Sequence, residues 1–190
     1  MSRVRPAPLE QYAPLFGAEA SLGLRIHAHN PELARRYTAF TEALRHEHRT
    51  LPARLTELVR LRIAFHNQCR SCMAIRYEHA VEDGVTEHLV CSLERPAEAD
   101  DLTEAERAAL EFADRMATDH LSITDATYDR LREHFTEAEI VELGYNCAVC
   151  VGFGRLSATW DMVDELPDRF RHEGTDPVTP WGDGDIVRVP

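Results

Sequence analysis

Twice in its C-terminal half the chain places a threonine three residues ahead of a glutamate, Thr103 with Glu106 and Thr136 with Glu139. In such a pair the hydroxyl accepts from the N3 amide while the carboxylate reaches back to the N-cap amide, so each pair marks a helix start. The first opens a stretch with Ala105, Ala108, Ala109, Phe112, Ala113 and Met116 on one side, and the second a long apolar helix from Glu137 to about Trp160. Upstream, Asn30-Pro31 supplies a cap and a first-turn proline, followed by Leu33, Tyr37, Phe40 and Leu44 at helical spacing. Leu51-Pro52 begins another helix through about His66, with Leu55, Leu58, Val59, Ile63 and Phe65 on a broad apolar face. One further helix is expected from Cys69 to about Asp83, stopped by Gly84 in the left-handed conformation. Shorter helices fit Leu9–Phe16, Ser21–His29, Thr86–Leu93 and Asp125–Phe135. No strand-length alternation of apolar and polar residues stands out, so the expected fold is all-α, a multi-helix single domain.

The expected organisation is an N-terminal arm over 1–24, a helical domain over 25–166 and an extended tail over 167–190, with Trp181 available to dock onto a neighbour. Acids outnumber bases by 33 to 21, a net charge of -12 that argues against a phosphate-binding surface and against nucleic acid. The first fifteen residues lack a signal-peptide apolar core, and the longest uncharged run, Leu143–Gly154, is too short to cross a bilayer. A cytoplasmic protein without a membrane partner is therefore expected. In a reducing compartment five cysteines do not form a structural disulfide framework, yet four of them fall into two Cys-x-x-Cys pairs.

The chemistry concentrates in ELVRLRIAFHNQCRSCMAIRYEHAVEDG, Glu57 to Gly84. Cys69 and Cys72 are three apart at a helix start, so their sulfurs can meet in a disulfide. Unpaired amides at a helix N-terminus favour thiolate, and a free cysteine is only about 3% thiolate at pH 7. On a continuous helix Arg76 lies one turn beyond Cys72 and can approach its sulfur, whereas His79 lies roughly 10 Å along the axis and needs a water or substrate between. His66 precedes Cys69 across the Asn67-Gln68 break, which leaves its direction open. Glu57 is either a proton-relay carboxylate or a structural one paired to an arginine such as Arg60 or Arg62.

Glu57, Cys69-x-x-Cys72 and the run to Gly84 resemble the alkylhydroperoxidase D / carboxymuconolactone decarboxylase-like family, whose pattern is E-x11-C-x-x-C-x3-H-x7-G. The segments HNPEL (29–33), LPARLTELVRLRIA (51–64), LTEAERAALEFAD (102–114) and TEAEIVELGYNCAVCVGFGRL (136–156) also look like the family, and the resemblance covers roughly 25–165. It implies an all-helical oligomer, a homotrimer or homohexamer, acting as a peroxidase or disulfide reductase. A thiolate attacks a peroxide (alkyl hydroperoxide or hydrogen peroxide), becomes sulfenic acid, is closed to a disulfide by its neighbour, and is then reduced by a lipoyl or thioredoxin-like dithiol. The family gives the attacking role to the second cysteine, here Cys72, with Cys69 resolving; the helix-dipole argument alone prefers Cys69. At the family's histidine position this chain has Arg76, which cannot accept a proton at any working pH.

The implied catalytic set is Cys72, Cys69, Glu57, His79, Arg76 and His66, with no cofactor and no metal. The alternative function is a decarboxylase-like lyase or isomerase acting on a small lactone or carboxylate by acid–base chemistry. Cys147 and Cys150 read as small hydrophobes of a packed apolar helix, and Cys91 as a lone core residue. Neither His27/His29 nor His46/His48 makes a convincing metal pair, since residues two apart point in different directions on a helix.

Overall fold

A computed structural model describes residues 1–171 and 177–189. Helices dominate: α1 (Leu9–Phe16), α2 (Leu22–His27), α3 (Pro31–Glu42), α4 (Ala53–His66), α5 (Arg70–Ala74), α6 (Glu78–Glu82), α7 (Glu87–Cys91), α8 (Glu104–Thr118), α9 (Asp125–Arg132), α10 (Glu137–Trp160) and α11 (Asp168–Arg171). α3 runs directly into a π-helical turn, Ala43–Glu47. Both capping boxes form with reciprocal hydrogen bonds, and Asn30 caps α3 through the Leu33 amide.

Helix α4 is the axis of the fold, lying against α8 and α10. Leu55, Leu58, Val59, Leu61 and Ile63 are all buried, so apolar groups face neighbours on most sides. Leu58 and Ile63, at 1% and 0% exposed, contribute about 1.5–3 kcal/mol each by burial alone. A carboxylate from α10 fixes where α4 begins: Glu142 accepts from the Thr50 amide at 2.8 Å, the Thr50 hydroxyl and the Leu51 amide. At its other end α4 closes with a Schellman turn, Cys69 N–H donating to Ala64 O and Gln68 N–H to Phe65 O. Gln68 holds the left-handed position at φ 50°, which disfavours a residue with a Cβ. Its side chain offsets that cost, donating to Phe65 O at 2.7 Å and Val178 O at 3.2 Å while accepting from Val178 N at 2.9 Å.

The expectation of one unbroken helix after Cys69 is corrected. The helix from Cys69 does not continue to Asp83; it stops at Ala74, and Ile75–Tyr77 becomes an extended strand, β1, before α6 begins. β1 pairs in parallel with β2, Val187–Val189, in the register Ile75–Val187, Arg76–Arg188, Tyr77–Val189. The cause is tertiary. The tail supplies a backbone ladder, and Arg60 from α4 donates to the Cys72 and Ile75 carbonyls at 2.6 and 2.8 Å, which caps α5. Gly84, at φ 93°, does end α6, with Val85 N–H donating to Ala80 O and Gly84 N–H to Val81 O.

Trp181 packs on Phe65 of its own chain, ring centroids 4.7 Å apart, instead of being held out for a neighbour. Phe170 is fully buried against Met73, Ala74 and Ala64. The described part of the tail is thus folded back over α5; residues 172–176 and 190 of the expected extended tail lie outside the described residues. Cys91 is exposed at the end of α7 and is not a core residue. Among the described residues no helix is long and apolar enough to cross a membrane, and no group of three or more His, Cys, Asp or Glu side chains could hold a metal ion.

Candidate active site

The Schellman turn after α4 delivers Cys69 to the N-cap of α5, where its sulfur accepts from the Cys72 amide at 3.4 Å. Cys69 and Cys72 are joined by a disulfide, with Cα atoms 5.2 Å apart. Cys69 is 0% exposed, whereas Cys72 is only partly buried, at the edge of a small cluster with Phe65, Leu166, Val178 and Val187. A reagent from solvent meets Cys72 first. Because α5 has only five residues, its dipole is small, and the local donor is the single Cys72 amide.

Glu57 sits beneath this pair, 3% exposed, and both of its oxygens are taken by Arg60: Nε to Oε2 at 2.7 Å and Nη2 to Oε1 at 2.8 Å. The Tyr77 amide also donates to Oε1 at 3.4 Å. Burial opposes the Arg60 charge, but the Glu57 carboxylate beside it overcomes that and raises its pKa, so the guanidinium stays charged. Arg60 therefore ties the buried carboxylate to the backbone of Cys72. A glutamate–arginine pairing at i, i+3 was open from the spacing; the reach of the same guanidinium to Cys72 and Ile75 was not, because it needs the break at Ala74.

Arg76 is placed elsewhere. With the helix broken, it no longer lies one turn beyond Cys72, and its guanidinium is 0% exposed. It donates to Glu87 at 2.9 and 3.0 Å, to Met73 O at 2.8 Å, to Ile75 O at 3.0 Å and to Pro180 O at 2.6 Å. All its donors are spent joining α5, α7 and the tail. His66 bonds Asp114 of α8 at 2.6 Å, and Arg62 shares the same carboxylate. Burial alone would raise the Asp114 pKa, but the His66 and Arg62 bonds win and lower it. His66 is engaged in this α4–α8 cross-tie.

His79 lies on the Glu57 side. Its ring is 4.5 Å from His46 and 5.6 Å from Tyr77, centroid to centroid, and its Nδ1 is buried without a hydrogen-bond partner. Burial lowers its pKa, reinforced by His46 and Arg49 and opposed by Glu57. Thus Glu57 and His79 share one neighbourhood, while Arg76 and His66 are committed to others. Cys147 and Cys150 both lie mid-helix in α10. The fully buried Cys147 thiol is pushed well up by burial, and Cys150 is pushed up by burial against the pull of Arg60 and Arg45. Asn67 donates to Cys150 O at 2.9 Å, joining this part of α10 to the turn before Cys69.

A cleft of about 530 Å³ opens between α8, α9 and the loop after α7, but none of its lining residues belongs to α5. Its arginines are already paired, Arg62 with Asp114, Arg95 with Glu98, Arg107 with Glu104 and Arg130 with Glu111. That leaves it no unpaired arginine to recognise an anion.

Residues 31–115 match the Carboxymuconolactone decarboxylase family. An uncharacterized protein of Bacillus subtilis (strain 168), YdfG, is 31% identical over 88 residues, which is 46% of this chain and 60% of that one. The chain thus spans about three-fifths of the curated relative it matches. Among solved structures, the alkylhydroperoxidase AhpD core of a peroxidase-related protein from Ralstonia eutropha JMP134 superposes with a TM-score of 0.66 at 22% identity, over 82% of this chain and 81% of that one. A variant of the debrominase Bmp8, in complex with 2,3,4-tribromopyrrole, gives 0.71 at 21% identity over 87% and 92%. At these identities the two structures speak for the fold.

Proposed function

We propose that this chain, a member of the alkylhydroperoxidase D / carboxymuconolactone decarboxylase-like family, is a thiol oxidoreductase that reduces peroxides or disulfides through a Cys69/Cys72 dithiol–disulfide cycle. The observation that carries this is the asymmetry of the pair: Cys72 partly exposed, Cys69 sealed behind it and already within bonding distance. In the reduced protein the Cys72 thiolate attacks a peroxide oxygen and the O–O bond breaks, leaving Cys72 sulfenic acid and an alcohol or water once the leaving oxygen takes a proton. The Cys69 thiol then attacks the Cys72 sulfur, water leaves, and the disulfide forms. A lipoyl or thioredoxin-like dithiol returns the pair to two thiols and leaves as a disulfide. His79, held neutral by its lowered pKa, accepts the thiol proton through a water. Glu57 and Arg60 hold the backbone of Cys72 in place, and Arg76 is structural.

The acid–base lyase alternative is less well supported, because both Glu57 oxygens are engaged by Arg60 and are not open to take a proton. We place the enzyme in a homotrimer or homohexamer. The support is a lane along α10, Val141, Tyr145 and Leu156 with Phe153 beside it, whose apolar side chains are exposed in the isolated chain.

The test is thiol titration of the reduced protein with an alkyl hydroperoxide. One peroxide is expected to consume two thiols in wild type. Cys69→Ser stops at a sulfenic acid that dimedone traps, and Cys72→Ser consumes no peroxide. Loss of no thiols from 69 and 72, together with no change in peroxide or disulfide turnover in either serine variant, would refute the proposal.

A further inference from the structure

The π-helical turn after α3 lays a cationic cluster beside Glu57 and Arg60. The Arg45 guanidinium sits over the Tyr77 ring at 4.7 Å, with that of Arg60 5.1 Å from the same ring. His46 stands edge-on to His79 at 4.5 Å. Two buried nitrogens here have no hydrogen-bond partner, Nη1 of Arg49 and Nδ1 of His79. Among the described residues neither Arg45 nor Arg49 has a carboxylate within ion-pair distance.

In a chain of net charge -12 this is unexpected, since 33 acids are available to neutralise such arginines. The acids nearby do not serve: Glu57 is spent on Arg60, and Glu42 reaches only His46, at 3.8 Å. Burying donors unsatisfied costs free energy, and the guanidiniums create a cationic field around His79. His79 registers it, its pKa lowered by burial and then by His46 and Arg49. One bound anion would accept from both orphan nitrogens, His79 donating in the tautomer protonated at Nδ1, and would offset that field. Flat surfaces border the cluster: the Tyr77 ring, and the Tyr37–Phe153 stack at 4.1 Å, with Tyr37 in electrostatic contact with Arg45, Tyr77 and Cys150.

We infer that Arg45, Arg49, His46 and His79 form a binding site for a planar organic anion, a carboxylate on an aromatic or conjugated body, and that this is the recognition element for the substrate of the Cys72 site. Arg60 links the two places, touching Tyr77 on one side and the Cys72 carbonyl at 2.6 Å on the other. The substrate assignment rests on the oxidoreductase reading; the anion site does not.

Two measurements separate them. The first is calorimetric titration of the full-length oxidised protein with benzoate and with benzyl alcohol. Saturable benzoate binding at least about 10-fold tighter than the alcohol is expected, from charge-assisted pairing to arginine. Arg45→Met and Arg49→Met should each weaken it about 5- to 10-fold, while Arg95→Met, remote in the paired cleft, leaves it unchanged. Equal binding of acid and alcohol, or no effect of either variant, overturns the site. The second compares turnover of an aryl hydroperoxide bearing a carboxylate with that of its methyl ester. A lower KM for the acid, lost in Arg45→Met with kcat retained, supports substrate recognition. Equal KM values overturn that assignment while leaving the thiol chemistry standing. Benzoate binding without turnover of any peroxide or disulfide keeps the anion site and removes the oxidoreductase reading.

Discussion

Arg60→Met is the substitution with the largest consequence derivable from the site. The wild-type guanidinium makes four hydrogen bonds: two to Glu57, one to Cys72 O and one to Ile75 O. Methionine fills comparable apolar volume, so the loss is chiefly electrostatic. It leaves the Glu57 carboxylate 3% exposed without its countercharge, and breaking a buried pair from one side costs about 3–5 kcal/mol. The two carbonyls at the end of α5 lose charged donors as well, but water admitted at the partly exposed Cys72 edge offsets part of that. A total of about 4 kcal/mol, with a urea slope of about 2 kcal/mol/M for a chain this long, moves the unfolding midpoint down by about 2 M. The assay is urea unfolding followed by far-UV circular dichroism, with Arg60→Lys measured alongside in case Arg60→Met falls below the stability threshold. The double variant Glu57→Gln/Arg60→Met removes both charges and should recover at least about 2 kcal/mol relative to the sum of the single changes. A midpoint shift under about 0.5 M, or strict additivity in the cycle, would refute the view that this is a desolvated pair holding the Cys72 backbone.

Arg76→His restores the residue type of the family's relay, yet its position faces Glu87, Met73 O and Pro180 O. Peroxide turnover should therefore not rise, stability should fall by about 2–4 kcal/mol, and limited proteolysis should cut the tail sooner; a rise in turnover contradicts the placement. Two glycines of α10 should answer alanine oppositely. Gly144→Ala meets nothing within 4 Å and gains helix propensity, raising Tm by about 1–3 °C. Gly154→Ala puts a methyl 2.5 Å from Asn67 Nδ2, which must abandon the Cys150 carbonyl, and thermal scans should show a lower Tm. Asp114, with its lowered pKa, contributes stability that is present above its unfolded value of about 3.9 and is lost as pH falls through the folded value. Unfolding of Asp114→Asn should accordingly be less stable than wild type at pH 7, with the gap narrowing only below about pH 4.

Local rules settled much of this protein. The two capping boxes, the Asn30 cap and the left-handed glycine at 84 are decided by interactions within a few residues, and each stands where the spacing puts it. The apolar periodicity of α4 likewise made it the buried axis, and the family pattern over Glu57, Cys69, Cys72 and Gly84 pointed to the stretch that holds the disulfide. What the sequence could not decide is the course of the chain after Ala74. Local propensity favours one helix to Asp83, in which Arg76 follows Cys72 around the same face. In the folded chain Val187–Val189 offers a strand to pair with, Arg60 caps the carbonyls of Cys72 and Ile75, and the Arg76 guanidinium finds five acceptor contacts on the far side. Met73 and Ile75 are local, but the partners that decide the outcome lie from 11 residues away (Glu87 from Arg76) to 112 (Val187 from Ile75), and no window of neighbouring residues contains them. The same is true of Arg45 and Arg49, which become a cationic cluster only when α3 and its π turn fold over Tyr77 and His79. Sequence alone determined where the sulfurs are and that they sit at a helix start. Tertiary packing decided which charges surround them, because long-range burial, and not helical spacing, sets which charged side chain reaches which backbone.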